Sequence, residues 1–286
     1  MKNLLLSAVL ISLSTFAQAA IPRASFIVGK LAGNAGSGTY TIEQDVHFST
    51  QNSQLTLKEQ WLISTDGQMR LTVRPARDAA DQVRIQFVYA NGQKSSLTQR
   101  GKTSGAQGEE FAEKFFHTRS RDVLFSMFSN LKILPAAYRD SKVTRSGKEF
   151  VYPAEPLNRL TRIAGSIAYT FGQPAESEND MHPMAWIEQD VFHLRKLRFP
   201  SGTTMTADRY GSYARDLAFP KMRQIVWGDR GNTKAVTIQV SKVSGLPTVK
   251  NDKRFQAAGL EFNSQIAGLT DPEMQKLVEE FYGRFR

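Results

Sequence analysis

The sequence predicts an α+β chain, mostly antiparallel β, folded as a curved, incomplete β-barrel of about ten strands with helices covering its concave face. Three observations predict this. Apolar and polar residues alternate with period two through most of residues 40–97 and again in short stretches between 160 and 243. Asp-Gly and Asn-Gly pairs sit between alternating runs, where tight hairpins need them. One long apolar-periodic segment, residues 109–134, interrupts the strands at helical spacing and can cover the apolar face that a single sheet leaves open.

The chain has 286 residues, 41% hydrophobic and 22% charged, the composition of a folded protein able to bury a large core. It contains no Cys, which excludes disulfides, thiolate metal sites, a Cys nucleophile and a Cys-linked lipid anchor.

Met1-Lys2-Asn3, an apolar run from Leu4 to Phe16 and Ala17-Gln18-Ala19 form the three parts of a secretory signal peptide. The run is too short to span a bilayer comfortably. Residues 1–19 are therefore expected to be removed, leaving one exported domain over 20–286. With Lys2 gone, 36 Lys+Arg face 27 Asp+Glu, a net of +9. In an exported protein this charge points to lipid headgroups, lipid phosphates or an acidic protein rather than nucleic acid. The positive residues are scattered, and the loosest cluster runs from Arg119 through Arg121, Lys132, Arg139, Lys142 and Arg145 to Lys148.

Phe26, Ile27 and Leu31 share a helix face after Pro22, so residues 22–31 read as a short helix that the Gly-rich stretch 33–38 ends. Tyr40, Ile42, Val46 and Phe48 mark the first strand. Leu55, Leu57, Trp61 and Ile63 mark the second, with Glu59 the exception to its parity. After Thr65-Asp66-Gly67 come Met69, Leu71 and Val73, then Val83, Ile85, Phe87 and Tyr89. Asn91-Gly92 turns the chain into a fifth strand, residues 94–97.

Residues 99–108 are polar and Gly-rich and read as a loop. Phe111, Phe115, Leu124, Met127, Phe128 and Leu131 fall near one face of one or two helices, an insertion near 105–135 that Pro135 ends. Residues 160–171 read as one strand. Residues 185–188, 194–199 and 203–213 read as three more, and 224–227 with 233–243 as a hairpin. Thr270 or Asp271, Pro272 and Glu273 open a C-terminal helix near 271–284.

No catalytic constellation stands out. There is no Gly-x-Ser-x-Gly elbow and no phosphate- or dinucleotide-binding glycine loop. Ser129 and Lys132 fit Ser-x-x-Lys, but the Lys-Thr-Gly-like stretch Lys102-Thr103-Ser104-Gly105 precedes rather than follows them, so both read as helix-surface residues. His47, His117, His182 and His193 never pair at metal-face spacing. Met181-His182-Pro183-Met184 and the Glu188/Asp190 pair read more simply as a polar loop and a solvated strand edge. The chain is not expected to be an enzyme.

The order of these elements resembles the periplasmic outer-membrane lipoprotein carrier and sorting proteins, the LolA/LolB-like superfamily. The residues that carry the resemblance are Tyr40-Thr41-Ile42-Glu43-Gln44-Asp45-Val46, the hairpin from Leu57 to Val73, and Phe87-Val88-Tyr89-Ala90-Asn91-Gly92-Gln93-Lys94. Ala185-Trp186-Ile187-Glu188-Gln189-Asp190-Val191-Phe192 and the stretch from Tyr210 to Val243 extend it. It is a likeness of order and texture across most of residues 22–245, with extra sequence near 100–160 and after 245.

The resemblance implies a barrel closed by helices around an apolar cavity that binds lipoprotein acyl chains or phospholipid, with no metal or cofactor. It implies inner- and outer-membrane transport proteins as partners. Without the lipidated Cys of the receptor branch, the chain falls with the soluble carriers. An envelope-sensing or protein-binding module on the same fold is the alternative. The face expected to line the cavity is Trp61, Met69, Leu71, Ile85, Phe87 and Tyr89, with Phe115, Met127 and Phe128 on the covering helices. Each buried CH₂ is worth about 0.8 kcal/mol, so a 16-carbon chain gains about 13 kcal/mol on leaving water. A carrier must match that gain and still release the chain.

Overall fold

The computed structural model describes residues 21–76, 83–140, 142, 144–146, 149–151, 153–174, 180–229 and 231–286. The signal segment expected over 1–19 lies outside the described residues. The expectation of an α+β chain built on a curved antiparallel sheet holds.

Helix α1 (Ala24–Gly33) buries Ala24, Ile27, Val28 and Leu31 and leaves Phe26 outside. The Ala24 N–H donates to Glu155 Oε2 at 2.7 Å, which sets a carboxylate at the positive end of the helix.

Six strands follow as a meander: β1 (Thr39–Ser49), β2 (Gln54–Ile63), β3 (Met69–Pro75), β4 (Val83–Ala90), β5 (Gln93–Thr98) and β6 (Gly101–Ala106). Each pairs antiparallel with the next. Between β4 and β5, Asn91 and Gly92 hold φ of 52° and 73°, the mirror-image turn that Asn-Gly predicts. The reading of 99–108 as a loop is corrected by β6. That strand has no large side chain to bury, so no alternation marks it. Backbone pairing with β5 holds it, helped by Ser95–Ser104 and Ser96–Thr103 hydroxyl contacts at 3.1 and 2.8 Å.

The helical insertion comes in two pieces, α2 (Lys114–His117) and α3 (Arg121–Asn130). Ser120 caps the second by accepting from the Val123 N–H. A small separate hairpin, β7 (Thr144–Ser146) and β8 (Glu149–Val151), comes next. Then β9 (Asn158–Ile163) and β10 (Ser166–Phe171) pair with each other. The reading of 160–171 as one strand is thereby corrected. Ala164 and Gly165 have φ of 46° and 86° and reverse the chain there. Before Gly165 the residues Asn158–Ile163 show no period of two, with Leu160 and Ile163 on opposite parities, so no break in a pattern marks the turn.

The return strands are β11 (Met184–Glu188), β12 (Leu194–Arg198), β13 (Thr204–Tyr213), β14 (Leu217–Trp227) and β15 (Lys234–Leu246). A two-residue β16 (Gln265–Ile266) precedes the last helix, α4 (Pro272–Arg284). Asp271 caps α4 by accepting from the Glu273 N–H at 2.9 Å, as its sequence anticipates. The described residues thus form sixteen strands where about ten are expected. Most of the excess is short strands and the two halves of split hairpins.

Fourteen strands make one sheet in the order β6-β5-β4-β3-β2-β1-β15-β14-β13-β12-β11-β10-β9, with β16 paired to β4 where β5 does not reach. The ends of this order, β6 and β9, are not paired with one another, so the barrel is incomplete. Helices α2, α3 and α4 lie on the concave face. Phe48 meets Phe281 at 5.2 Å, Trp227 meets Phe285 at 4.9 Å, Phe116 meets Phe219 at 5.5 Å, and Phe128 meets Phe171 at 6.0 Å. α1 packs outside α3. The buried apolar side chains form one contiguous cluster. Toward the free edge, the face carrying Tyr169 and Phe171 runs out past this cover. Leu160 and Ile167 are 41% and 44% exposed there.

Candidate functional site

All nine side chains expected to line a cavity lie on the concave side, and the structure sorts them into three places. Met69, Tyr89 and Met127 border a cavity of about 640 Å³ at one end of the barrel. It opens between the β2–β3 and β4–β5 turns on one side and α2–α3 on the other. Ile85 and Phe87 border a second hollow of about 330 Å³ between β4, β16 and α4. Trp61, Leu71, Phe115 and Phe128 are packed in the interior and border neither. There Trp61 and Phe111 form a three-ring cluster with Tyr89, at 5.8 Å (Trp61–Tyr89), 4.5 Å (Tyr89–Phe111) and 6.1 Å (Trp61–Phe111), and Phe115 lies 5.4 Å from Phe128.

The centre of the barrel is therefore filled, and part of the filling is charged. Glu59, the residue that breaks the apolar parity of β2, is fully buried. It accepts from Gln44 Nε2 at 2.6 Å, from Trp61 Nε1 at 3.0 Å and from Arg286 Nε at 3.0 Å. A second carboxylate, Glu113 before α2, accepts two bonds from Arg223 Nη1 at 2.7 Å each and lies 3.6 Å from Arg286 Nη1. Arg223 on β14 also donates to Gln44 Oε1, which joins the two halves. Two carboxylates and two guanidiniums thus balance inside the core. They tie the sheet (Gln44, Glu59, Arg223) to the start of α2 and to the segment after α4.

Burial alone would raise the Glu113 carboxyl. The charge of Arg223, the bond from His117 and the charge of Arg286 outweigh burial and hold it far below the usual carboxylate range. His117 continues the network, with Nδ1 2.9 Å from the Tyr40 hydroxyl and Nε2 3.4 Å from Glu113 Oε1. The Tyr40 hydroxyl has one proton for two acceptors, the Ala35 carbonyl at 3.1 Å and Nδ1 at 2.9 Å, and a neutral ring fits when Nε2–H faces the carboxylate and Tyr40 donates to Nδ1. Burial lowers the His117 pKa below its ordinary value, against the raising effect of Glu113 and with help from Arg223 and Arg119.

The sign for stability follows from linkage. A His depressed in the fold binds its proton more readily when unfolded, so its contribution is complete above about pH 6.5 and is lost below it. Glu113 acts lower, with its contribution complete above about pH 4.5 and lost on further acidification. Urea midpoints are expected to fall between pH 7 and 5. His117→Gln should flatten that slope by about half, because His193, also held down by burial, contributes with the same sign. An unchanged slope in the variant would contradict a neutral buried ring.

The other polar candidates separate in the fold. Glu188 lies 3.6 Å from Arg195, while Asp190 stands in the following turn with φ of 71°. Met184 is buried in β11 and Met181 is exposed, so the Met-His-Pro-Met stretch does not present its sulfurs together. Ser129 is in the last turn of α3, and Lys132 follows it with φ of 59°. The charged core escapes a reading of single segments because its members come from five distant places in the chain. Glu59 in an otherwise apolar row is its one local trace.

No protein-family model matches the chain, and no curated protein sequence matches it. Solved structures share its fold. A LolA superfamily protein from Nitrosomonas europaea aligns over 84% of this chain and 100% of its own, with a TM-score of 0.53 at 10% identity. A DUF1329 family protein from Desulfovibrio piger aligns over 83% of this chain and 97% of its own, with a TM-score of 0.51 at 11% identity. The chain has a LolA-like fold.

Proposed function

We propose that this LolA-like chain is a periplasmic carrier that binds acyl chains of lipoproteins or phospholipid and delivers them towards the outer membrane. The observation that carries the reading is the 640 Å³ cavity at the end of the barrel. Its volume is within the usual range for small-molecule sites. Met69, Tyr89, Val123 and Met127 give it an apolar side, two of them flexible thioethers that adapt to a chain, while polar side chains such as Thr65, Gln68, Asn91 and Gln107 make up much of the rest. The signal-like start of the sequence supports the compartment. Among the described residues no helix is long and apolar enough to cross a membrane.

The ion-paired centre sets a limit on the carrier. A chain entering beyond the mouth displaces α2 or α4 rather than filling an existing hollow. Native mass spectrometry of protein purified from the cell envelope tests the reading: co-purified phospholipid or acylated protein supports it. Met127→Trp, which places an indole in the mouth, is expected to weaken binding of a fluorescent fatty-acid probe at least tenfold while the fold is kept. Unchanged probe affinity in that folded variant would count against this cavity.

A second reading, a module that binds an envelope protein without moving lipid, is favoured by one feature. Among the described residues β9 is an unpaired sheet edge beside exposed Leu160 and Ile167, and such edges can accept a partner strand. A ligand-free chain that co-purifies with one protein in equal amount would favour it over the carrier.

A further inference from the structure

The walls of the large cavity are not uniformly apolar. Lys114 on α2 and Arg119 just after it both border the space. The Arg119 guanidinium is fixed in place, with Nη1 donating to the carbonyls of Ser64 (3.2 Å) and Thr65 (2.5 Å) and Nη2 to that of Gly38 (2.7 Å). These partners are neutral, so its positive charge is uncompensated by them.

Lys114 is half-buried and, among the described residues, makes no hydrogen bond or ion pair; its ammonium stands 6.0 Å from the Phe115 ring. Burial lowers its pKa, against a raising effect from Glu109. The other titratable groups at the cavity are Asp66 on the exposed β2–β3 turn, His117, which burial keeps neutral, and the Tyr89 hydroxyl, which burial pushes up. Two basic groups thus border the space against the rim carboxylate of Asp66, with Glu109 near enough to Lys114 to act on its charge. A half-buried ammonium without a partner is costly, and an anion within reach would relieve the cost.

We infer that the cavity takes a single-chain amphiphile with an anionic head, a carboxylate or a phosphate. The head rests on Lys114 with Arg119 behind it, and the chain lies on Met69, Tyr89, Val123 and Met127. This rests on the acyl-chain reading and narrows it to a head-group class.

Calorimetric titration at pH 7 with dodecanoate, dodecyl phosphate and neutral dodecanol tests it. The wild-type chain is expected to bind the anions about tenfold more tightly than the alcohol, the better of the two identifying the head. Lys114→Met, which keeps the apolar stem, should remove that advantage, so that the anions and dodecanol bind the variant within about twofold of one another. Should the variant fold poorly, Lys114→Gln replaces it, and 0.5 M NaCl should selectively weaken anion binding to the wild type. If dodecanol binds as tightly as the anions, or the folded variant keeps their advantage, the head-group assignment falls and acyl binding stands. If none of the three binds, the acyl-chain reading falls with it.

Discussion

Glu113→Gln is expected to destabilise the fold by about 3–5 kcal/mol, because it leaves two buried guanidiniums to share one carboxylate. Arg223 then loses both charge-assisted bonds at 2.7 Å, and Arg286 loses its second anion. Neither can reach water, since Arg223 and Arg286 are each 2% exposed. The variant also leaves His117 facing an amide. The expected readout is a lower urea midpoint with an unchanged m-value. The paired change Glu113→Gln with Arg223→Met should cost less than the sum of its single changes, since the second removes the charge that the first strands. A single variant within about 0.5 kcal/mol of wild type would show that solvent enters the core and screens the network.

Phe128→Ala is the second large effect, again about 3–5 kcal/mol, from lost transfer energy together with the cavity left behind. Phe128 is fully buried and touches the cover and the sheet at once, with Phe115 at 5.4 Å and Phe171 at 6.0 Å. The backbone ladder on β10 prevents Phe171 from following the void. Val123→Ala on the same helix, at a side chain 53% exposed, should change stability by no more than about 0.5 kcal/mol. Thermal unfolding of both variants separates a helix that merely exists from one that braces the sheet. Equal midpoints would place α3 outside the cooperative unit.

Where one face of a strand was buried, the sequence was enough to read it. Tyr40, Ile42, Val46 and Phe48 turn inward on β1, the Asn91-Gly92 turn has the backbone its residues require, and Asp271 caps α4. Legibility failed where burial does not leave a period. β6 has nothing to bury, and β9 before the Ala164-Gly165 turn has no alternation whose end would mark that turn. The expected lining residues are all on the concave side, yet only five of the nine border a space, because facing inward says nothing about what fills the interior. Ring packing and the Glu59–Arg286 and Glu113–Arg223 pairs decide that, and these link residues 227 and 110 positions apart.

The gap between β6 and β9 has a mechanical consequence. A closed barrel has a circumference fixed by strand number and stagger, so widening it means breaking backbone ladder bonds. An unsealed ribbon can uncurl slightly with every inter-strand bond intact, and the resistance comes only from side chains that bridge its span. The internal girth of this protein is therefore set by the side chains that pack and pair across its interior rather than by its wall, and a guest that displaces them gains room without unravelling the sheet.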